Sequence, residues 1–308
     1  MHTALVALLA MLLDRLLGEP RRAHPLVAFG RWVNVVEARL NHASLRPSVA
    51  RLRGVLAVAA LLAPFTLLSA LAIHIPFMAT AVEVLLLYLA LGGQSLAQHA
   101  RRVLRALNAG DLPSARECVG RMVSRDTSAM QDTDVARATI ESVLENGNDA
   151  VFGALFWFVL AGASGAVLYR LTNTLDAMWG YRTPRYRYFG WAAARFDDLL
   201  NLFPARLTAL TYALLGHTAH ARRCWQTQGC HWESPNAGPV MAAGAGALGV
   251  RLGGPAYYHG ALKQRPALGT DTPPVAGDIE RAIRLVQQGG LLWLILLLIG
   301  AAGGRWLA

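Results

Sequence analysis

The chain has 308 residues, of which 54% are hydrophobic and only 16% are charged. A soluble domain of this size usually carries about a quarter charged residues, so the composition disfavours a soluble protein and indicates a membrane protein with apolar residues in blocks. The formal net charge of +10 is almost entirely arginine, since Lys263 is the one lysine. The arginines lie between the apolar blocks, as the positive-inside rule predicts, and we therefore expect no nucleic-acid partner.

Seven apolar segments are candidates for crossing the membrane, which takes about 20 apolar residues in a helix. In chain order they are residues 3–17, Gly54–Ile75, Phe77–Gly93, Ala150–Leu171, Ala205–Ala221, Gly238–Val250 and Gly289–Gly303. The first is interpreted as a short retained helix, because it lacks the basic start and cleavage site of a signal peptide. We predict an all-α, polytopic integral membrane protein that forms one membrane domain.

Two of these segments carry features that an ordinary span lacks. Glu83 lies inside Phe77–Gly93 and needs a partner or a polar cavity. Small residues at Gly162–Gly165 divide Ala150–Leu171, so this segment either crosses the membrane or re-enters it as two half-helices. We favour the re-entrant form, because together with a second hairpin at Ala205–Val250 it places nearly all the arginine and the polar clusters at one face. That face is expected to be the cytoplasmic face of the inner membrane.

Ionisable residues at four-residue spacing precede the divided segment. We expect a helix that starts near Val135 and is capped by Asp132 or Thr133. One face of that helix would carry Arg137, Glu141, Glu145 and Asp149, with Asn146 and Asn148 nearby. Carboxylate and amide oxygens of this kind suit Mg²⁺. The alternative is a solvated stripe with an ion pair between Arg137 and Glu141.

A second polar cluster follows the divided segment. Asn173 and Asp176 are three residues apart and would face the same way on a helix. The same string, Asn-Thr-Leu-Asp, is equally compatible with a helix cap at the membrane boundary.

A third cluster contains the adjacent carboxylates Asp197 and Asp198, which repel each other, so that one of them usually needs a cation or a proton. Helical spacing predicts that Asp197 lies beside Asn201 and Asp198 beside Arg195. The pattern favours a metal-binding role for one carboxylate and an arginine partner for the other. A plain salt bridge remains open.

The glycine-rich region after Asn236 has two interpretations. Gly244, Gly246 and Gly249 favour close helix packing. The turn expected at Gly253–Pro255 could lie over a ligand, since glycine lets the backbone approach closely. Near the N-terminus, His24 before a proline is interpreted as an ordinary loop histidine.

Six motifs that occur in one order over nearly the whole chain resemble the CobD/CbiB family of membrane-bound adenosylcobinamide-phosphate synthases. They are LDRLLGEPRRAHPLVAFGRWV near the N-terminus, RDTSAM at Arg125–Met130, ESVLEN at Glu141–Asn146, NTLDAMWGY at Asn173–Tyr181, RFDDLLNLFPARLTAL from Arg195, and SPNAG followed by GALGVRLGGPAYYHG. The chain departs from the family at several positions: Glu19 replaces an aspartate, Leu144 an alanine, and Met241 a glutamate that many members carry.

The resemblance implies a carbon–nitrogen ligase of cobalamin biosynthesis, which uses ATP and Mg²⁺ to join adenosylcobyric acid to aminopropanol or its phosphate. The metal or base candidates are Asp126, Glu145, Asp176 and Asp197. The residues expected to position phosphate or amine are Glu141, Asn146, Asn173 and Asp198. The residues expected to bind substrate or phosphate are Arg125, Arg195, Arg206 and Asn236.

The partners implied are a corrinoid substrate, aminopropanol (phosphate) and the lipid bilayer; a homo-oligomer or pathway partners remain open. Two other classes also remain open. A membrane transporter would explain Glu83 in a span and the divided segment at Gly162–Gly165. A non-catalytic signalling protein or a structural anchor would retain the scaffold without ATP chemistry.

Overall fold

The protein is described here from a computed structural model that covers residues 1–20, 24–42, 44–258 and 260–303. This part of the chain is mainly helical. Its α-helices are α1 His2–Leu17, α2 Pro25–Leu40, α3 Pro47–Ala72, α4 Ala79–Ala90, α5 Gly93–Asn108, α6 Leu112–Gly120, α7 Asp132–Gly147, α8 Gly153–Trp179, α9 Trp191–Leu200, α10 Leu202–Leu215, α11 Thr218–Gln228, α12 Ala237–Leu248 and α13 Ala276–Gly303. A π-helical turn at Asn148–Phe152 joins α7 to α8, and a 3₁₀ turn covers Gly229–His231.

Four stretches are long and apolar enough to cross a membrane: Pro47–Ala72, Ala79–Asn108, Asp132–Trp179 and Ala276–Gly303. The prediction of an all-α polytopic membrane protein is confirmed. Helix α10 ends at Leu215, earlier than the predicted segment Ala205–Ala221, because Gly216 and His217 interrupt the helix. Helix α12 has 12 residues, which at 1.5 Å per residue gives about 18 Å, less than the ~30 Å hydrocarbon thickness.

The break predicted in the apolar segment Ala150–Leu171 is present. Ala161 and Gly162 leave helical geometry, and Gly162 has a positive φ of 66°. A Cβ added to Gly153 would lie 2.1 Å from the hydroxyl oxygen of Tyr169, and one added to Gly165 would lie 2.5 Å from the carbonyl oxygen of Trp157. Residues 16 apart on a straight helix are separated by about 24 Å, so the two halves of α8 fold back on each other. Such a bend is what a re-entrant segment requires.

The chain forms two compact units. The first unit comprises Met1–Gly92, Gly153–Asn201 and the chain from Ala301, and the second comprises Gly93–Phe152 and Leu202–Gly300. In the first unit, α8 packs against α3, α4 and α9. The rings of Trp179 and Phe189 meet edge to face at 4.9 Å in its apolar core. Helix α3 passes so close to this core that a Cβ added to Gly54 would lie 2.0 Å from the Phe189 carbonyl oxygen.

Helix α12 forms the centre of the second unit, where each of its residues is buried. Gly244 lies against Leu144 of α7 and Gly246 against the backbone of Ala221 in α11, so close packing is confirmed at these two glycines. Gly249 has a different role, since it ends α12 in the left-handed conformation with a φ of 69°.

Four short strands follow α12, and the sequence patterns did not predict them. They are β1 Arg251–Gly253, β2 Ala256–Tyr258, β3 Ala261–Lys263 and β4 Ala267–Gly269. Strand β1 pairs antiparallel with β4, and β2 pairs antiparallel with β3. The predicted turn at Gly253–Pro255 therefore connects two strands, and the backbone N–H of Gly253 donates to Glu141 of α7.

Candidate active site

The carboxylate of Glu141 is the centre of a buried polar cluster in the second unit. Glu141 is 1% exposed. Arg125 donates a hydrogen bond to its Oε2, Arg265 donates from Nη1 at 3.0 Å, and the backbone N–H of Gly253 donates to Oε1 at 2.8 Å. The predicted alternative, an ion pair between Glu141 and Arg137, is wrong, because Arg137 pairs with Asp134 at 3.1 Å. Two guanidinium groups around one carboxylate leave the cluster with a net positive charge.

Helix α7 starts earlier than predicted. The helix begins at Asp132 and not near Val135. Its N-cap is Gln131, which forms a capping box with Asp134, in place of the predicted caps Asp132 and Thr133.

Arg125 and Asp126 belong to the loop before α7. Burial lowers the pKa of the Arg125 guanidinium, but the charges of Glu141 and Tyr258 and their hydrogen bonds raise it more, so Arg125 remains protonated. A guanidinium has five N–H donors, so Arg125 keeps donors beyond those bound to Glu141. The exposed Asp126 accepts hydrogen bonds from the backbone N–H and hydroxyl of Ser128 at 3.0 and 2.6 Å. These bonds lower the pKa of Asp126.

Glu145 lies one turn after Glu141 on α7 and is exposed. Among the described residues, its carboxylate has no hydrogen-bond donor and no ion-pair partner, although the charges of Asp149 and Glu141 act on it and so do those of the two arginines. Asn146 does not complement it, since the Asn146 amide donates to the backbone oxygen of Ser142 at 2.9 Å. Glu145 is thus an acidic side chain of this helix that is available to a ligand.

The residues around Glu145 show how the π-helical turn shapes the end of α7. Asn148 is buried and donates to Asp149 at 2.9 Å, and the hydroxyl of Thr208 donates to Asn148 at 2.9 Å. A π turn adds a residue to the helix and shifts the side chains that follow it. The carboxylates of Glu145 and Asp149 still influence each other electrostatically.

Arg206 and Asn236, two of the predicted substrate-binding residues, lie together in the second unit. Arg206 donates from Nη1 to the side-chain oxygen of Asn236 and from Nη2 to the Pro235 oxygen at 3.1 Å. Arg206 therefore orients the start of α12.

The third predicted cluster is confirmed as a pair of local contacts in the first unit. The Asn201 amide donates to Asp197 at 3.0 Å, and Tyr169 donates its hydroxyl to Asn201 at 2.8 Å. Arg195 pairs with Asp198 at 3.1 Å. Burial raises the pKa of Asp198, against the opposing charges of Arg195 and Arg182.

Asn173 and Asp176 also belong to the first unit, on the second half of α8. Both are half-buried, and their three-residue spacing on a helix places them on one face, as predicted. A Cβ added to Gly180 would lie 2.0 Å from Asp176 Oδ1, so the carboxylate lies directly against this glycine.

The described residues contain no group of three or more His, Cys, Asp or Glu side chains arranged to hold a metal ion. The donor set nevertheless fits Mg²⁺ that arrives with a nucleotide, since such Mg²⁺ is usually bound through one or two carboxylates plus substrate phosphates and water. Glu145 with Asp149 supplies such a pair. The predicted metal ligands Asp126, Asp176 and Asp197 remain predictions.

Arg265 is the main site residue that the sequence patterns missed. Its side chain is 7% exposed, it donates to Glu141, and its guanidinium lies 5.2 Å from the ring of Trp232. The sequence signal that could have found it is weak: an arginine directly before a proline in a short, Gly-flanked strand region. Its partner lies 124 residues away.

Comparison with known proteins places the chain among cobalamin-pathway proteins. The family profile described as "CobD/Cbib protein" matches residues 7–286. A relative from Chromobacterium violaceum, named cobalamin biosynthesis protein CobD, is 61% identical over 304 residues, covering 98% of this chain and 97% of the relative. Proteins with the same name are 60% identical over 291 residues in Stutzerimonas stutzeri, covering 94% of this chain and 95% of the relative, and 38% identical over 304 residues in Mycobacterium tuberculosis, covering 96% and 95%.

No solved structure matches the chain. The family match covers most of the sequence and the relatives align from end to end, with identities well above those of chance similarity. The chain therefore belongs to the CobD/CbiB family.

Proposed function

We propose that this chain is a membrane-bound, ATP- and Mg²⁺-dependent ligase that acts in cobalamin biosynthesis. It would join the carboxylate of adenosylcobyric acid to the amine of aminopropanol or aminopropanol phosphate, giving adenosylcobinamide or its phosphate. Family membership supports the pathway. The single structural observation that supports the chemistry is the Glu145 carboxylate, which has no ion-pair partner in the described part of the chain and lies one turn after Glu141 in the buried, net positive cluster of Arg125, Glu141 and Arg265.

The reaction needs an activated carboxylate, because a free carboxylate is a poor acyl donor. In the proposed first step, an oxygen of the substrate carboxylate attacks the γ-phosphorus of ATP, and the bond from that phosphorus to ADP breaks. In the second step, the amine nitrogen attacks the acyl carbon, the bond from that carbon to phosphate breaks, and the amine loses a proton to a carboxylate.

Arg125 is suited to the negative charge that develops on the transferring phosphoryl group. Cations aimed at such charge stabilise the transition state, and Arg125 is held in one orientation by Glu141. Glu141 would then act by positioning Arg125 and Arg265, since its own carboxylate is occupied by three donors. Its role would be indirect.

Glu145 with Asp149 would hold the Mg²⁺, which would supply positive charge that neutralises part of the charge of the nucleotide phosphates. Before the nucleotide binds, the two like-charged carboxylates repel each other. Binding of a cation removes this repulsion, so the two carboxylates favour binding of a nucleotide together with its Mg²⁺.

The first unit supplies the remaining candidates. Asp197 is 9% exposed and is oriented by Asn201, and Asp176 is half-buried on α8. The metal or base role predicted for these two carboxylates stays a prediction. Localisation in the inner membrane, with the arginine-rich segments in the cytoplasm, follows from the positive-inside rule.

The proposal is tested with purified, detergent-solubilised full-length protein. Adenosylcobyric acid, aminopropanol phosphate, ATP and Mg²⁺ are added, and the amide product is measured by mass spectrometry. Product that disappears when ATP or Mg²⁺ is omitted supports the ligase. Product that forms equally well without ATP contradicts it. Parallel reactions with unphosphorylated aminopropanol identify the preferred amine.

A transporter on the same scaffold is the second candidate, favoured by the bend at Ala161 and Gly162. The other observation in favour of a transporter, Glu83 inside a predicted span, is weaker than the sequence indicated. Glu83 has a partner, because His2 Nε2 lies 3.4 Å from its carboxylate. Uptake of labelled corrinoid into proteoliposomes, without amide product, would favour transport over ligation.

A further inference from the structure

An apolar cavity of about 290 Å³ lies within the first unit. Its walls come from α3, α4, the second half of α8 and the start of α2. Most of the lining is aliphatic or aromatic, as at Phe29, Leu86 and Leu171. The polar exceptions are Ser69 and two nitrogen-bearing side chains, His24 and Arg170.

His24 offers an N–H donor to this cavity. Its Nδ1 accepts a hydrogen bond from the backbone N–H of Leu26 at 3.1 Å. Burial lowers the pKa of His24, with Glu19 raising it and Arg170 lowering it further, so the ring is neutral. A neutral imidazole with an accepting Nδ1 carries its proton on Nε2.

The Nε2–H of His24 has no acceptor among the residues that the structure describes, although the side chain is only 9% exposed. A buried donor without a partner is rare in proteins. Arg170 repeats the pattern: its Nε is buried and has no acceptor within the described chain, while its Nη2 lies 3.5 Å from Glu19. The N–H groups of His24 Nε2 and Arg170 Nε are thus two buried donors that could bind an oxygen of a ligand.

The wall formed by α3 indicates where the acceptor comes from. Leu68 and Phe65 line the cavity, and they are also 64% and 37% exposed on one of the helices long enough to cross the membrane. In a membrane, exposed apolar side chains of such a helix contact lipid. An occupant of the cavity is therefore expected to enter from the bilayer.

We propose that this cavity binds an acyl chain of a membrane phospholipid, with an ester or phosphate oxygen accepting hydrogen bonds from His24 and Arg170. The apolar lining matches the chain, and the two N–H donors match the oxygens where chain and headgroup meet. The volume is near the lower end of the ~300–1,000 Å³ range of ligand sites, which fits part of a lipid and not a whole one. The site is independent of the proposed ligase reaction.

Native mass spectrometry tests the proposal on full-length protein released from nanodiscs of phosphatidylethanolamine and phosphatidylglycerol. Wild type is expected to keep one phospholipid per chain. His24→Phe keeps a ring but removes the N–H donor, and Arg170→Met keeps an apolar stem. Each variant is expected to retain at least about fivefold less lipid than wild type. This is the loss in binding that follows from removing a hydrogen bond of about 1 kcal/mol.

His74→Phe is the matched control, since His74 is an exposed histidine after α3 that does not line the cavity. It is expected to retain lipid like wild type. Equal retention by wild type, His24→Phe and Arg170→Met would overturn the proposal.

A second measurement does not depend on whether the variants fold. Electron cryomicroscopy of wild type in nanodiscs with brominated phosphatidylglycerol should show bromine density inside the cavity beside Phe65 and Leu86. A cavity without lipid density in well-resolved maps would overturn the proposal.

Discussion

The guanidinium of Arg265 donates hydrogen bonds of 3.0 and 3.4 Å to the carboxylate of Glu141, a residue 124 positions earlier in the chain. The same guanidinium donates from Nε to the Gly254 carbonyl oxygen at 2.9 Å. Arg265 thus connects the strand region after α12 to helix α7, and the position of Arg125 depends on the same carboxylate.

Replacing Arg265 by methionine should lower the stability of the second unit strongly. Both side chains of the Arg265–Glu141 pair are almost fully buried, at 7% and 1% exposure, and removing one partner of a buried pair costs about 3–5 kcal/mol. Thermal unfolding in detergent, followed by circular dichroism, measures the loss. The control is Lys263→Met, which breaks the exposed pair with Glu233 and should cost below about 1 kcal/mol. Similar unfolding temperatures for the two variants would contradict the prediction.

Replacing Glu145 by glutamine should reduce ligase activity without reducing stability. The carboxylate has no ion-pair partner among the described residues, so its loss removes no protein contact. We expect product formation to fall about 100-fold, the upper end of the loss seen when residues that support a metal site are mutated, with partial recovery at high Mg²⁺. The matched control is Glu117→Gln, an exposed residue paired with Arg121. An unchanged rate for Glu145→Gln would exclude the role proposed for it.

Replacing Gly54 by alanine should destabilise the first unit. The added Cβ would lie 2.0 Å from the carbonyl oxygen of Phe189. Because this is a backbone atom, moving it away would cost folding free energy. Overpacking of this kind costs about 1–3 kcal/mol. Gly30→Ala is the control in the same unit, because its nearest neighbour would be Met178 Sδ at 3.8 Å, an ordinary contact. If both variants unfold at the wild-type temperature, α3 does not pass as close to Phe189 as described.

Acidification should weaken the first unit through Glu37. The hydrogen bonds from Arg185 hold the pKa of Glu37 below its usual value, against burial that raises it, and Asn41 lowers it further. A carboxylate with a lowered pKa in the folded state stabilises the fold above its ordinary pKa, and this contribution is lost as the pH falls through the folded value. As the pH falls from about 5 to about 3, the unfolding temperature of wild type should therefore fall more steeply than that of Glu37→Gln.

Arg185→Met supplies the complementary control for this pH effect. Arg185 is the main cause of the lowered pKa of Glu37. The Arg185→Met variant should therefore be less stable at neutral pH, and its unfolding temperature should fall less steeply on acidification. Parallel pH profiles for wild type and both variants would refute a contribution from this pair.

The sequence predicted what depends on spacing within a helix. Asp197 with Asn201 and Asp198 with Arg195 were predicted from positions three or four residues apart, and both contacts are present. The break at Ala161 and Gly162 was likewise predicted from a local cluster of small residues. Such contacts follow from helical geometry alone.

Contacts that depend on tertiary packing could not be predicted from the sequence patterns. Glu141 was expected to pair along its own helix, but its cationic partners are Arg125 in the preceding loop and Arg265 far along the chain. The four strands have three residues each, too short for an alternating pattern to be recognised. His24 was interpreted as a loop residue, because burial of its ring is decided by helices that are distant in sequence.

The complete burial of α12 has a consequence for how the protein tolerates sequence change. An amphipathic helix accepts substitutions on its outer face, so tolerance along it rises and falls with a period of 3.6 residues. Helix α12 has no outer face, and contacts such as those of Gly244 and Gly246 leave no room for a methyl group. Its 12 positions should form an unbroken block of mutational intolerance, in which even Gly-to-Ala exchanges are harmful.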